Sequence, residues 1–143
     1  MDAAMMDKHD RRVIDLAHAI GKAEGWGAPD HLPTRINNPI DLEIGDKGWG
    51  VVKGKTVFPD PATGWEYAYR EAWVVLTGQS HYVKISMTFA QFAQVYTGGD
   101  NPGEWAHIVT EELSMADPDK DTLQDYLNIN TEAPNVPSDA SNG

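Results

Sequence analysis

The sequence predicts a mostly helical α+β domain, and three observations carry that expectation. Apolar residues recur with a helical period in several separate segments, and each segment is closed by glycine, proline or a capping residue. One stretch alone reads as β structure: Trp49-Gly-Val-Val and Lys55-Thr-Val-Phe58 flank a Lys53-Gly54 turn, the pattern of a short hairpin. The chain has 143 residues, 41% of them hydrophobic, which suits a single domain with a proper core.

Taken in order, the first helix is expected from about Asp7 to Glu24, with Gly25 as its stop. The stretch from Gly25 to Asp46 is punctuated by Pro29, Pro33 and Pro39 and is too broken for a long regular element. After the hairpin, a second long helix is expected from about Gly64 to Leu76, with Ala68, Ala72, Val75 and Leu76 on its inner face. Ser86 reads as the N-cap of a helix carrying Phe89, Phe92, Ala93 and Tyr96, which ends at Gly98-Gly99. Another helix should follow Pro102, with Trp105, Ile108, Val109 and Leu113 on one face. Asp117-Pro118 reads as a cap with proline at the first helical position, opening a last helix through Leu123, Tyr126 and Leu127. The domain is thus expected over residues 1–127, and residues 128–143, nearly devoid of apolar side chains, as a disordered tail or linker.

Composition narrows the function. A formal charge of −11 argues against nucleic acid, whose phosphates demand a basic surface. No apolar run reaches the eighteen residues of a membrane span, and the polar start of the chain lacks the basic and apolar regions of a signal peptide, so membrane insertion and export by the general route are not expected. There are no cysteines, hence no disulfides and no thiolate sites, and the five histidines lack metal-ligand spacing. No metal and no cofactor are expected. A neutral or mixed-charge polymer such as a glycan remains compatible with these limits.

Glu24 stands out within this frame. Val13, Leu16, Ala17, Ile20 and Glu24 fall on one stripe of the first helix, so the carboxylate points where a core residue should. Partial burial and the negative end of the helix dipole both disfavour its charged form. A carboxylic acid held protonated near neutral pH is what a general acid requires. The alternative is a side chain that reaches solvent or pairs with a nearby cation such as Arg35.

The stretch Ala19-Ile-Gly-Lys-Ala-Glu-Gly-Trp-Gly27, followed by Leu32-Pro-Thr-Arg-Ile-Asn-Asn-Pro39, resembles the start of lysozyme-like and lytic-transglycosylase-like domains. Those domains show a helix ending in Glu-Gly-aromatic, then a loop, then an Asn-Asn-Pro-Gly-Asn motif leading into a hairpin. The likeness continues through Phe58 to Gly64 and Ser86 to Tyr96, and covers most of residues 13–127. Two positions depart from the pattern: Ile40 stands in place of Gly and Asp41 in place of Asn. A β-branched residue at position 40 bars positive φ there.

The resemblance implies a lysozyme-like fold with one small hairpin after the first helix, acting on peptidoglycan glycan strands as a muramidase or lytic transglycosylase. It matches Glu24 to the catalytic acid and Asn37 and Asn38 to the motif beside it, and it implies a monomer in a periplasmic or phage-associated setting. An oxocarbenium-like transition state needs support on the opposite face of the sugar. Asp41, Glu43 and Asp46 are the candidate second carboxylates, with solvated loop charge as the alternative for each. In lytic transglycosylases the substrate's own N-acetyl group serves instead. Trp26 and Trp49 are candidate sugar-stacking residues, Trp73 and Trp105 are expected in the core, and Tyr96 fits either a cleft or a core role. The rival reading is an inactive member of the same fold that binds glycan or serves as a phage or secretion-system part.

Overall fold

The computed structural model describes residues 6–129. Among them six helices and one two-stranded antiparallel sheet form a mostly helical α+β architecture: α1 (Arg11–Glu24), α2 (Leu32–Arg35), β1 (Val51–Val52), β2 (Lys55–Thr56), α3 (Pro61–Leu76), α4 (Phe89–Thr97), α5 (Pro102–Glu112) and α6 (Leu123–Ile129). No described helix is long and apolar enough to cross a membrane.

α1 is the central element, packed against both α3 and α5, while α5 also packs on α4. Its periodic stripe accounts for this: Val13, Leu16, Ala17 and Ile20 are all buried. The helix begins at Arg11 rather than near Asp7, because the Asp10 carboxylate caps it, accepting from the Arg12 amide at 2.9 Å. That carboxylate also takes the Arg12 guanidinium Nε at 2.8 Å, and both side chains are buried. α6 closes over this end, with Tyr126 Oη donating to the Arg12 carbonyl.

Local caps move the other helix starts in the same way. α3 starts at Pro61, three residues before Gly64, because Asp60 accepts from the Thr63 amide and proline suits the first turn. Gly64 is instead a point of close approach: a Cβ there would lie 1.9 Å from the Asn37 carbonyl oxygen. α4 is capped by Thr88 rather than Ser86, since Thr88 and Gln91 form a reciprocal capping box. Asp117-Pro118 opens only a turn. Asp117 accepts from the Asp119 amide there, and α6 starts at Leu123. Leu123, Tyr126 and Leu127 are buried as their spacing predicts. The helix continues to Ile129, so residues 128 and 129 belong to it rather than to a tail, and the rest of the expected tail lies outside the described residues.

The hairpin pairs Val51 with Thr56 and Val52 with Lys55. Lys53 (φ 51°) and Gly54 (φ 81°) form its turn, two left-handed residues that match the twist of the strands. What fixes the hairpin to the helices is the loop before it. Asn38, fully buried, donates through Nδ2 to the carbonyls of Leu42 and Thr56, each at 2.9 Å, and accepts the Leu42 amide at 2.8 Å. Asn37 donates to the Phe58 carbonyl at 3.1 Å. The loop's left-handed residues are Asn37 (φ 58°) and Asp41 (φ 64°), types whose short polar side chains tolerate that region. Ile40 does not need it. The departure at position 40 therefore adds no backbone strain there, and Ile40 serves as a fully buried core residue.

Replacing Asn38 by Ala removes its bonds to the Thr56 carbonyl and the Leu42 amide, and leaves the Leu42 carbonyl with the Thr56 amide alone. It is expected to lower the unfolding free energy by about 2–3 kcal/mol, the scale of buried groups left unsatisfied. Urea denaturation measures this, and an unchanged midpoint would show that the loop needs no such tie.

Candidate active site

Glu24 is the last residue of α1, where Gly25 (φ 89°) turns the chain away and the Trp26 amide bonds back to the Gly21 carbonyl. A side chain at position 25 is strained by this positive φ, and its Cβ would also displace the His31 ring. The turn thus delivers the Glu24 carboxylate into a cleft of about 920 Å³. Three segments form the facing walls: the loop and strand carrying Asp41, Glu43 and Lys55, the loop with Ser80 and Tyr82, and the α4–α5 corner with Tyr96, Asp100 and Glu104.

Trp105 Nε1 donates to Glu24 Oε2 at 2.9 Å. Arg35, the cation considered as a partner for Glu24, is exposed, and Trp105 holds the carboxylate instead. Trp105 is itself only 5% exposed, edge-on to Phe92 and stacked on Tyr96 at 5.1 Å between centroids. Tyr96 Oη donates to the Ile40 carbonyl. Acid, cleft wall and hairpin loop are therefore joined through two rings. Burial holds the Tyr96 hydroxyl protonated well beyond its ordinary range, and the neighbouring carboxylates, Glu24 first, add to this.

The Glu24 pKa is pushed up to about 7. Burial is the main cause; the Trp105 N–H opposes it by favouring the carboxylate, Asp41 adds to the rise, Lys55 subtracts, and Asp100 adds a little more. The cleft is rich in carboxyl groups. Asp41, Glu43, Glu71, Asp100 and Glu104 line it beside Glu24, against Lys55 as the single cation among the described residues. Lys55 is engaged, at 2.8 Å from Glu43 Oε2 and 3.3 Å from Asp41 Oδ2. The other Asp41 oxygen is buried with no hydrogen-bond partner.

The structure brings together Glu24, Asp41, Glu43 and Tyr96 out of the residues singled out from sequence. Asn37 and Asn38 do not line the cleft, because their amides are spent on the backbone of the loop and hairpin. Asp46 also stands apart. Its carboxylate accepts from the Gly48 amide at 2.7 Å and the Gly50 amide at 3.0 Å, which hold its pKa below the ordinary range. Trp49 is 45% exposed on the hairpin arm, outside the cleft lining. Trp26 meets Trp65 edge-on at 5.5 Å, in a cluster where Trp65 stacks on His18 across Gly21.

Sequence reasoning missed the second role of Trp105. It placed the residue in the core, which is true of the ring, but a buried indole N–H needs an acceptor, and the acid ending the stripe of α1 was available. Lys55, Glu71, Tyr82, Asp100 and Glu104 were also missed, since nothing in their local spacing marks them. Among the described residues no group of three or more His, Asp or Glu side chains could hold a metal ion. Neither family models, curated proteins nor solved structures give a significant match to the chain.

The sign of the Glu24 shift makes a prediction about stability. An unfolded Glu titrates near about 4.3, below the folded value of about 7. As pH climbs from the lower to the higher value, the unfolded state releases its proton first, and this group's contribution to stability is lost. Glu24→Gln removes that dependence. Urea midpoints measured from pH 4 to pH 8 should therefore fall for wild type relative to the variant, with the change complete just above pH 7; parallel curves would contradict it.

Proposed function

We propose that the protein cleaves β-1,4-glycosidic bonds in peptidoglycan, as a muramidase or lytic transglycosylase, with Glu24 as the general acid. The observation that carries this reading is a carboxyl group with a pKa of about 7 at the wall of an open cleft, oriented by a tryptophan N–H. A group that titrates there can be protonated at rest and still release its proton in the transition state. The ordered likeness of residues 13–127 to lysozyme-like domains points to the same chemistry.

In this mechanism Glu24 passes its proton to the glycosidic oxygen as the C1–O bond breaks, and positive charge develops at C1 and the ring oxygen. The negative cleft favours that charge. Asp41 and Glu43 both lie against Lys55, so neither is an isolated nucleophile. The substrate's own 2-acetamido oxygen then supports C1. Glu24, now a carboxylate, takes a proton back from the sugar's 6-hydroxyl as O6 closes on C1, giving a 1,6-anhydro end; a water in place of O6 gives hydrolysis.

Purified sacculi digested with the protein, followed by mass spectrometry of the released muropeptides, test the reading. Anhydro ends are the expected product, and reducing ends would assign hydrolysis. Glu24→Gln should lower the rate by at least about a hundredfold, and the wild-type rate should fall as pH rises through about 7. A variant that keeps a tenth of the wild-type rate would remove Glu24 from the mechanism. Binding of sacculi without any release would instead support an inactive glycan-binding domain.

A further inference from the structure

Six large apolar side chains are conspicuously exposed among the described residues, and three of them, Ile44, Tyr82 and Val95, line the cleft. Tyr82 is the extreme case at 78% exposure. Its place is nonetheless well defined. α3 ends at Leu76, Gly78 (φ 76°) turns the chain just beyond it, and the Ser80 hydroxyl oxygen accepts both the Tyr82 amide at 3.2 Å and the Val83 amide at 3.0 Å. Val83, the next residue, is anchored in the core at 5% exposure. A short loop tied at both ends thus presents an almost uncovered phenol ring to a cleft whose other walls are rich in carboxylates.

We propose that Tyr82 is a stacking platform for a sugar ring of the glycan chain, at a subsite away from the scissile bond. This rests on the glycan reading of the cleft given above. A pyranose ring has an apolar C–H face, which an aromatic ring covers, and an edge of hydroxyl and acetamido N–H donors. The cleft offers a partner to both: the Tyr82 ring for the face, and carboxylates such as Asp100 and Glu104 for the donors. Ile44, at 36% exposure, and Val95, at 41%, are further exposed apolar side chains lining the same cleft. Because the Ser80 bonds hold the backbone at Tyr82 and Val83, less backbone ordering is needed when the sugar docks, and more of the stacking energy is retained as affinity.

Steady-state kinetics on soluble glycan strands test this with Tyr82→Ala, Tyr82→Phe and Tyr82→Trp. The alanine variant should raise KM by about tenfold, the effect of losing one well-packed contact, while kcat stays within about twofold. Phenylalanine and tryptophan should restore the wild-type KM, because each keeps an aromatic face. The same order should appear in Kd for a β-1,4-linked N-acetylglucosamine hexamer, measured in the Glu24→Gln background. Thermal denaturation checks that the exposed substitutions leave the fold intact. Cleavage and hexamer binding by Tyr82→Ala at wild-type KM and Kd would overturn the platform while leaving the role of Glu24 standing. If the wild-type protein neither cleaves strands nor binds the hexamer, the glycan reading fails and the platform falls with it.

Discussion

The hydrogen bond from Trp105 to Glu24 spans 81 residues of sequence and fastens the C-terminal end of α1 to the first turns of α5, two helices that an exposed Lys22–Glu112 ion pair also links. A buried indole N–H without an acceptor costs about 1–3 kcal/mol, so the position of Trp105 and that of the carboxylate constrain each other. The constraint spreads outward. Trp105 stacks on Tyr96, Tyr96 donates to the Ile40 carbonyl, and the loop holding Ile40 is tied to the hairpin by Asn38. The acid at one wall of the cleft and the Asp41–Lys55 pair at the other therefore belong to one connected framework.

The electrostatics follow from that framework. Burial alone would keep Glu24 neutral, and a single N–H from Trp105 tempers this without reversing it, leaving the group near about 7. An arginine in the place of Trp105 would have produced an ion pair and a permanently charged carboxylate. Lys55, which lines the cleft, is held by Asp41 and Glu43, and its opposing effect on Glu24 is smaller than that of burial. The result is an acid poised near neutrality in a cleft lined by further carboxyl groups, an environment that favours positive charge developing on a bound molecule over negative charge.

Much of this was legible in the residues, and the boundary is physical. Helical faces could be read because periodicity is local: the stripe of α1, with Glu24 at its end, announced both a core-facing helix and a perturbed acid. Helix starts were less accurate, because capping is a competition among neighbouring polar residues. Asp10, Asp60 and Thr88 prevailed over other starts through hydrogen bonds that depend on φ and ψ. The roles of Asn37 and Asn38 were the harder case. An asparagine in a loop looks the same in sequence whether its amide faces a ligand or, as with Asn38, a carbonyl 18 residues away. Tyr82 and Lys55 enter the cleft through tertiary folding alone, and no pattern in their own segments could reveal it.

The central claim is that Glu24 is a largely buried acid held near neutrality by its surroundings. Titration of its side-chain carboxyl by carbon-13 NMR in protein labelled at glutamate, assigned by comparison with Glu24→Gln, measures this without reference to any substrate. The account predicts a midpoint near about 7. A midpoint at the ordinary solvated value of about 4.3 would contradict it, and with it the case for Glu24 as a proton donor.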